Sequence, residues 1–529
     1  MSRICPARGL VGEAKHRDDG NHRQTRRRVH ARHRFFCIPG SSLRGGLRPG
    51  VPRSVSVFAD CLGVYRARID REDGTAVWFA DNYGGSSFFI NWQTGTISPS
   101  LYESAAPEER KPNPVAIAEF LYFGCTYSYD TIFSGVTRSD PDCYYVVRDT
   151  GIETRSKELP PLEQLEPGQE AMASLMARVC RAAQGLSMGC AVTGGVDSRS
   201  VLAHLLANGV RPALTVTGPP DHPDVCLAGK IANVLGQELT AFSDAPEGDA
   251  WLQETIRQAD GMAGVCGAYR LAKQSGGLAA RGIALKFGGG AGELYKNSFL
   301  NQDFPFYGGK PDWKRFLRFK VITYDFPDGI CGGQTEEAIR QTPERLYRKF
   351  SRYSRPTKAE SYLCAGYAIM QMRLAGISNM ENRFYAAYTP LMERSVAASV
   401  LGQPPRRLEM QAWQRRQVTQ HAPVLKDIPT DRGLTCDSAR AGTERARSMW
   451  FLAKVAAGRV FRRSRVPARI DRCFAQGLSS PAYHAAVERC RELGILSEHV
   501  QAEQIPRMIA DRVFAVGMMF SSPQERTGN

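Results

Sequence analysis

The chain is 529 residues long, enough for two or three domains with hydrophobic cores of their own, and its 43% hydrophobic and 23% charged residues are globular proportions. A short recognition module and a chain disordered throughout are both excluded. Lysine and arginine outnumber aspartate and glutamate by 69 to 53, a formal net charge of +16, which favours acidic partners without choosing among nucleic acid, anionic lipid and acidic peptide.

That charge is concentrated at the start. Residues 1–50 hold eleven Arg and one Lys against three acidic residues, a net +9, together with four of the nine histidines. The run AKHRDDGNHRQTRRRVHARHRFF has neither helix nor strand period, so residues 1–53 are expected to form a basic flexible tail. Its charges are not interleaved with aromatic residues as on an RNA-stacking surface, so nucleic acid is not the expected partner. No apolar run approaches the roughly 18 residues that span a bilayer, and no apolar stretch follows the first charges, so the expectation is a cytoplasmic protein without a membrane partner. The 14 cysteines stand singly, without a CxxC pair, and read as buried thiols rather than zinc or redox ligands.

From Ser54 the pattern changes to short alternating runs, SVSVFADCLGVYRARID and TAVWFADNYGGSSFFINWQTGTI, with turns at DREDG, DNYGG and NWQTG. Residues 54–160 are therefore expected as a mainly β domain that includes a helix at PNPVAIAEFLYFG and a strand at CYYVVRDTG. The proline-rich KELPPLEQLEPGQ marks the domain boundary. Beyond it, MASLMARVCRAAQ reads as a helix, SMGCAV as a buried strand, DSRSVLAHLLANG as a helix, RPALTVTG as a strand and DVCLAGKIANVLG as a helix. That alternation is a βαβ unit, hence an α/β domain on a parallel sheet over residues 165–529. IALKFGGG adds a strand, and SYLCAGYAIMQMRLAG and RFYAAYTPLMERSVAASVLG read as helices around a proline break. APVLKDIPTDRGL reads as a loop, followed by the basic AAGRVFRRSRVPARIDR and terminal amphipathic helices.

The sharpest chemical signal is Thr193-Gly194-Gly195-Val196-Asp197-Ser198, between the predicted strand and helix. Two glycines let backbone N–H groups approach an anion where a Cβ would collide, and Ser198 with the unpaired first-turn amides of the helix can hold phosphate. Asp197 repels phosphate unless a Mg²⁺ lies between them. The loop lacks both the lysine of a Walker A sequence and a GxGxxG fingerprint. Asp221 and His222 read as helix-capping residues.

These residues resemble the S-G-G-x-D-S loop of the ATP-pyrophosphatase superfamily (adenine nucleotide α-hydrolase-like fold), and within it the synthetase half of glutamine-dependent asparagine synthetase, with β-lactam synthetase and lasso-peptide macrolactam synthetases as relatives. LTVTG with the helix after it is similar to the family's second strand. Phe287-Gly288-Gly289-Gly290-Ala291-Gly292-Glu293-Leu294 is similar to its S-G-x-G-A-D-E-L segment, and Met380-Glu381-Asn382-Arg383 with Thr389-Pro390-Leu391 echoes its E-x-R-x-P-F-L. Residues 54–160 resemble a degraded family glutaminase, with Ser2 and Cys5 lying where no pocket would hold an N-terminal nucleophile.

The resemblance implies an ATP-dependent amide ligase that activates a carboxylate as an acyl-adenylate, releases pyrophosphate and lets an amine attack, without glutaminase activity. It implies ATP and Mg²⁺ as cofactors. Thr193, Gly194, Gly195, Asp197, Ser198, Thr217, Gly288 and Gly290 would surround the nucleotide, and Asp197 and Glu293 would hold the metal, Gly292 standing where the family has its second aspartate. Glu381 with Tyr385 or Tyr388 would act as the base, and Lys426, in competition with Lys286, as the late catalytic lysine. Expected partners are a small-molecule or peptide carboxylate, including a lasso precursor peptide and its processing protease. A tRNA-modifying adenylating enzyme and a non-catalytic nucleotide-binding scaffold remain as alternatives.

Overall fold

The computed structural model describes residues 36–38, 56–59, 61–165, 168, 171–242, 255–304, 306–437, 446, 449–450, 453 and 477–521. Ser2, Cys5, most of the basic tail and the basic stretch near residue 460 lie outside them. The tail contributes one strand that its sequence does not announce: β1 (Phe36–Ile38) pairs antiparallel with β2 (Leu62–Val64).

The first region is mainly β. Strands β3 (Arg66–Asp70), β4 (Ala76–Ala80), β8 (Cys143–Arg148) and β9 (Gly151–Ser156) form an antiparallel sheet in the order β3-β4-β8-β9. Strands β5 (Phe89–Asn91), β6 (Thr96–Ser98) and β7 (Val136–Arg138) form a second, in the order β6-β5-β7. Ala80 and Tyr145 of the first sheet meet Ile90 of the second, with Phe88 between them, so alternate side chains of both sheets close one small core. Ser56–Ala59, expected as strand, is one helical turn that lays Phe58 against Phe79 and Tyr144 on the opposite face of the four-stranded sheet. Helix α1 (Pro114–Phe123) starts on the Asn113 side-chain cap with Pro114 in the first turn and stops at Gly124 in the left-handed conformation.

The second region is a five-stranded, all-parallel sheet built from β10 (Met188–Ala191), β11 (Ala213–Thr217), β12 (Leu239–Phe242), β13 (Leu285–Phe287) and β14 (Ala386–Tyr388). Their order is β12-β11-β10-β13-β14. The chain therefore winds outward from β10 in one direction through β11 and β12, then returns to place β13 on the other side of β10. Helices α2 (Ala171–Ala182), α3 (Val196–Ala207) and α4 (Pro223–Leu235) share one core with Cys190, Leu214, Val216, Leu285, Phe287, Ala386 and Tyr388 of the sheet. Leu278 of α5 (Val265–Ala280) packs on the opposite face with Ile283 and Ala387. RFYAAY, expected as helix, holds β14 instead: its apolar run is too short for periodicity to tell strand from helix, and pairing with β13 decides for strand.

The remaining described helices are α6 (Trp313–Lys320), α7 (Gly333–Ser351), α8 (Lys358–Glu381), α9 (Arg394–Leu401), α10 (Ala412–His421), α11 (Pro481–Glu492) and α12 (Arg507–Phe520). Ile117, Phe120 and Leu121 of α1 belong to the same core as Ile339 of α7 and Phe514 and Val516 of α12. The mainly β region and the α/β region are thus packed into one another. Among the described residues no helix is long and apolar enough to cross a membrane.

Candidate functional site

The return of the chain across β10 leaves the loops after β10 and β13 side by side at the carboxyl ends of two adjacent strands. In open parallel sheets this switch point is where ligands bind, because flanking loops diverge there and leave a crevice. The first loop carries Thr193–Gly195 into α3, whose N-terminus has no side-chain cap. The Thr193 N–H donates to Ser198 Oγ (3.2 Å), the Gly194 N–H to Asp224 Oδ1 (2.8 Å) and the Gly195 N–H to Thr193 Oγ1 (3.2 Å). A Cβ on Gly194 would stand 2.6 Å from Leu227 Cδ1, and one on Gly289 would stand 2.5 Å from the Ser198 nitrogen. The two loops therefore touch backbone to backbone, which only glycine at 289 allows.

Asp197, in the first turn of α3, is held from three sides. Its Oδ2 is paired with Lys296 Nζ at 2.6 Å, and its Oδ1 accepts from Gln414 Nε2 at 3.1 Å. The same Gln414 amide donates to the Gly292 carbonyl at 3.0 Å. A Cβ on Gly292 would lie 2.1 Å from Asp197 Cγ, so the carboxylate rests where any side chain at 292 would be. Burial pushes the Asp197 carboxyl above its usual range, and the Lys296 ammonium opposes that shift. Glu293 is half-buried on the short 3₁₀ turn Gly292–Tyr295, close enough for its charge to raise the Asp197 carboxyl further. Among the described residues no three His, Cys, Asp or Glu side chains gather as a ligand set for a metal ion. A Mg²⁺ gripped by Asp197, the first of the two expected metal ligands, does not fit this donor set, because both of its oxygens are engaged by nitrogen donors.

A second group forms on the face of the sheet covered by α5. Lys286 of β13 makes a buried ion pair with Glu381 at the end of α8. Tyr385 donates its hydroxyl proton to Glu381 Oε1 (3.1 Å) and lies 2.9 Å from Ser275 Oγ. Burial and the adjacent Glu381 charge push the Tyr385 phenol far above its ordinary value, which keeps it protonated. The candidates Glu381, Tyr385 and Lys286 are thereby brought together, whereas the Tyr388 hydroxyl donates elsewhere, to Glu393 Oε1 (2.9 Å).

Lys426 has no hydrogen bond or ion pair to either group among the described residues. The segment that follows it reaches the loop instead: Arg199 donates to the carbonyls of Ile428 (2.5 Å) and Pro429 (3.1 Å), and the Asp431 N–H donates to Gly194 O (2.9 Å). Thr217 ends β11 at the same edge, and its buried hydroxyl has no partner among the described residues, an orphaned polar atom of the kind a bound ligand satisfies. Gly288 is tied to β14 by its N–H to Tyr388 O (3.1 Å), and Gly290 packs under Leu374 and Thr389. His222 caps α4 by accepting the Asp224 N–H at Nδ1 (3.2 Å).

Sequence reading missed Lys296, Gln414, Asp224 and Asp431. Lys296 was within sight, three residues beyond Glu293 in the same glycine-rich segment. Gln414 lies 217 residues from Asp197 and carried no signal. No protein-family model matches the chain, and no curated protein matches it in sequence.

Proposed function

We propose that the chain is an ATP-dependent carbon–nitrogen ligase that binds the polyphosphate of its substrate ATP at Thr193–Ser198. The observation that carries this reading is the meeting of two glycine loops and an uncapped helix N-terminus at the switch point of a parallel sheet. The orphaned Thr217 hydroxyl at the same edge supports it. In this reading a substrate carboxylate oxygen attacks the α-phosphorus, the bond to the bridging oxygen breaks, and pyrophosphate leaves with the electron pair. An amine then attacks the acyl carbon, loses a proton and displaces AMP. The three loop amides are spent on Ser198, Asp224 and Thr193, so it is the uncapped first turn of α3 that stabilises charge on the departing pyrophosphate. Glu381, fixed by Lys286 and Tyr385, is the carboxylate assigned to the amine's proton. The acyl substrate is a small-molecule or peptide carboxylate, including a precursor peptide closed to a macrolactam.

The test is exchange of labelled pyrophosphate into ATP, run against pools of amino acids, small carboxylic acids and peptides. Exchange that depends on one pool is expected, and Glu381→Gln is expected to keep exchange while losing amide product, since only the second step needs the base. A protein that binds ATP yet exchanges nothing with any pool would be a nucleotide-binding scaffold, and the ligase reading would fall.

A further inference from the structure

We infer that Lys296 is the resident cation of this site: its ammonium, parked on Asp197, neutralises the pyrophosphate portion of a ligand at the Thr193–Ser198 loop, in the place where a carboxylate-bound divalent ion was expected. The inference rests on the reading of that loop as a polyphosphate site. Lys296 Nζ is 2.6 Å from Asp197 Oδ2, and among the described residues Asp197 is its hydrogen-bonding partner. An ammonium carries three donors, so two remain for phosphate oxygens. Both side chains are largely withdrawn from water, at 11% and 20% exposure, which strengthens their attraction over that of a surface pair.

A divalent ion competes badly for the same oxygen. Mg²⁺ sits about 2.0–2.1 Å from its ligands and demands an octahedron of oxygens. Placed on Asp197 Oδ2 it would crowd an ammonium already in contact there, and on Oδ1 it would meet the N–H of Gln414, a donor turned toward the ion. Gly292 and Lys296, four residues apart, are complementary. The missing side chain at 292 makes room for the Asp197 carboxylate, which a Cβ would overlap at 2.1 Å, and Lys296 supplies the charge that a metal would bring. The four-carbon stem lets the ammonium move from carboxylate to phosphate without leaving the site.

The experiment is titration calorimetry of the full chain with inorganic pyrophosphate and with α,β-methylene ATP, each in EDTA and in Mg²⁺. The wild-type protein is expected to bind pyrophosphate in EDTA within about threefold of its affinity in Mg²⁺. Lys296→Met is expected to weaken binding in EDTA by about tenfold or more, the loss of one charge-assisted hydrogen bond, and Lys296→Arg to retain most of it. Because Lys296→Met leaves a buried carboxylate unpaired, melting temperatures accompany each titration. If that variant is unfolded, the neutral pair Asp197→Asn with Lys296→Met takes its place, with the same loss expected. Wild-type binding that requires Mg²⁺, or EDTA binding indifferent to the loss of Lys296, overturns the resident cation and leaves the polyphosphate site standing. Binding of neither ligand under either condition overturns the site itself and the inference with it.

Discussion

Glu393 shows how a single side chain can tie stability to pH. Its Oε1 accepts the Gly63 N–H at 2.9 Å and the Tyr388 hydroxyl at 2.9 Å, so one carboxyl joins the mainly β region to β14. Burial pushes its pKa up to about 7, and the nearby Asp81 carboxylate adds to that shift. The folded protein therefore keeps a proton that the unfolded chain has released above its ordinary value of 4.5. With more protons bound in the folded state, stability falls as pH rises between 4.5 and 7. Glu393→Gln retains an oxygen for both donors and removes the ionisation. Its stability relative to wild type is expected to rise by about 3 kcal/mol between pH 4 and pH 8, read from urea unfolding at each pH. A difference that stays constant across that range would show that Glu393 does not hold the proton.

Among the elements, α3 and the segment 428–431 depend on each other. Arg199 is fully buried, and its guanidinium caps two carbonyls of that segment, while the Asp431 amide closes back on Gly194. Farther along α3, His204 Nε2 is 2.7 Å from Gln417 Oε1 of α10, the helix that also brings Gln414 to Asp197. The glycine loop is thus shaped partly by chain more than 200 residues away. Arg199→Met is expected to leave both carbonyls without their donor, lowering stability by roughly 2–5 kcal/mol, and to speed hydrogen exchange at the Asp431 amide. Arg199→Lys, which cannot fork to both carbonyls, is expected to fall between the two. An Asp431 amide as protected in the Met variant as in wild type would mean that the segment is held by other contacts.

On the scale of the whole molecule, the boundary near residue 160 separates two patterns of secondary structure without separating two cores. Asp260, fully buried, accepts from Ser100 Oγ (2.9 Å) and the Leu101 N–H (2.8 Å) on the β side, and from Asn379 Nδ2 (3.1 Å) and Arg383 Nη2 (2.7 Å) on the other. Arg512 of α12 donates to the carbonyls of Leu121 (2.8 Å) and Tyr122 (2.7 Å) in the last turn of α1. Removing either region would strand these charges and expose the shared apolar surface. The full chain is expected to give one calorimetric unfolding transition, and residues 165–529 expressed alone are expected to be insoluble or to bind a dye for exposed apolar surface. Two separate transitions, or a monomeric and cooperative fragment, would show independent domains.

The strand-loop-helix at 188–207, the next strand and helix, and the glycine segment after Phe287 were all legible in sequence, because periodicity, helix stops and glycine's conformational freedom act between residues a few positions apart. Asp197 stands out by the same short-range signal, as the acid that follows two glycines at a helix start, whereas Glu381, Tyr385, Lys426 and Lys286 rest on the family resemblance, which does not fix their pairing. Only the tertiary structure decided that Lys286 belongs to Glu381 while Lys296 and Gln414 belong to Asp197. It alone turned RFYAAY from a helix into the edge strand β14, since a strand of three residues exists only when another strand accepts its hydrogen bonds. It also merged the two regions into common cores. Burial and charge pairing depend on which distant residues meet, and nothing in the local pattern records that meeting.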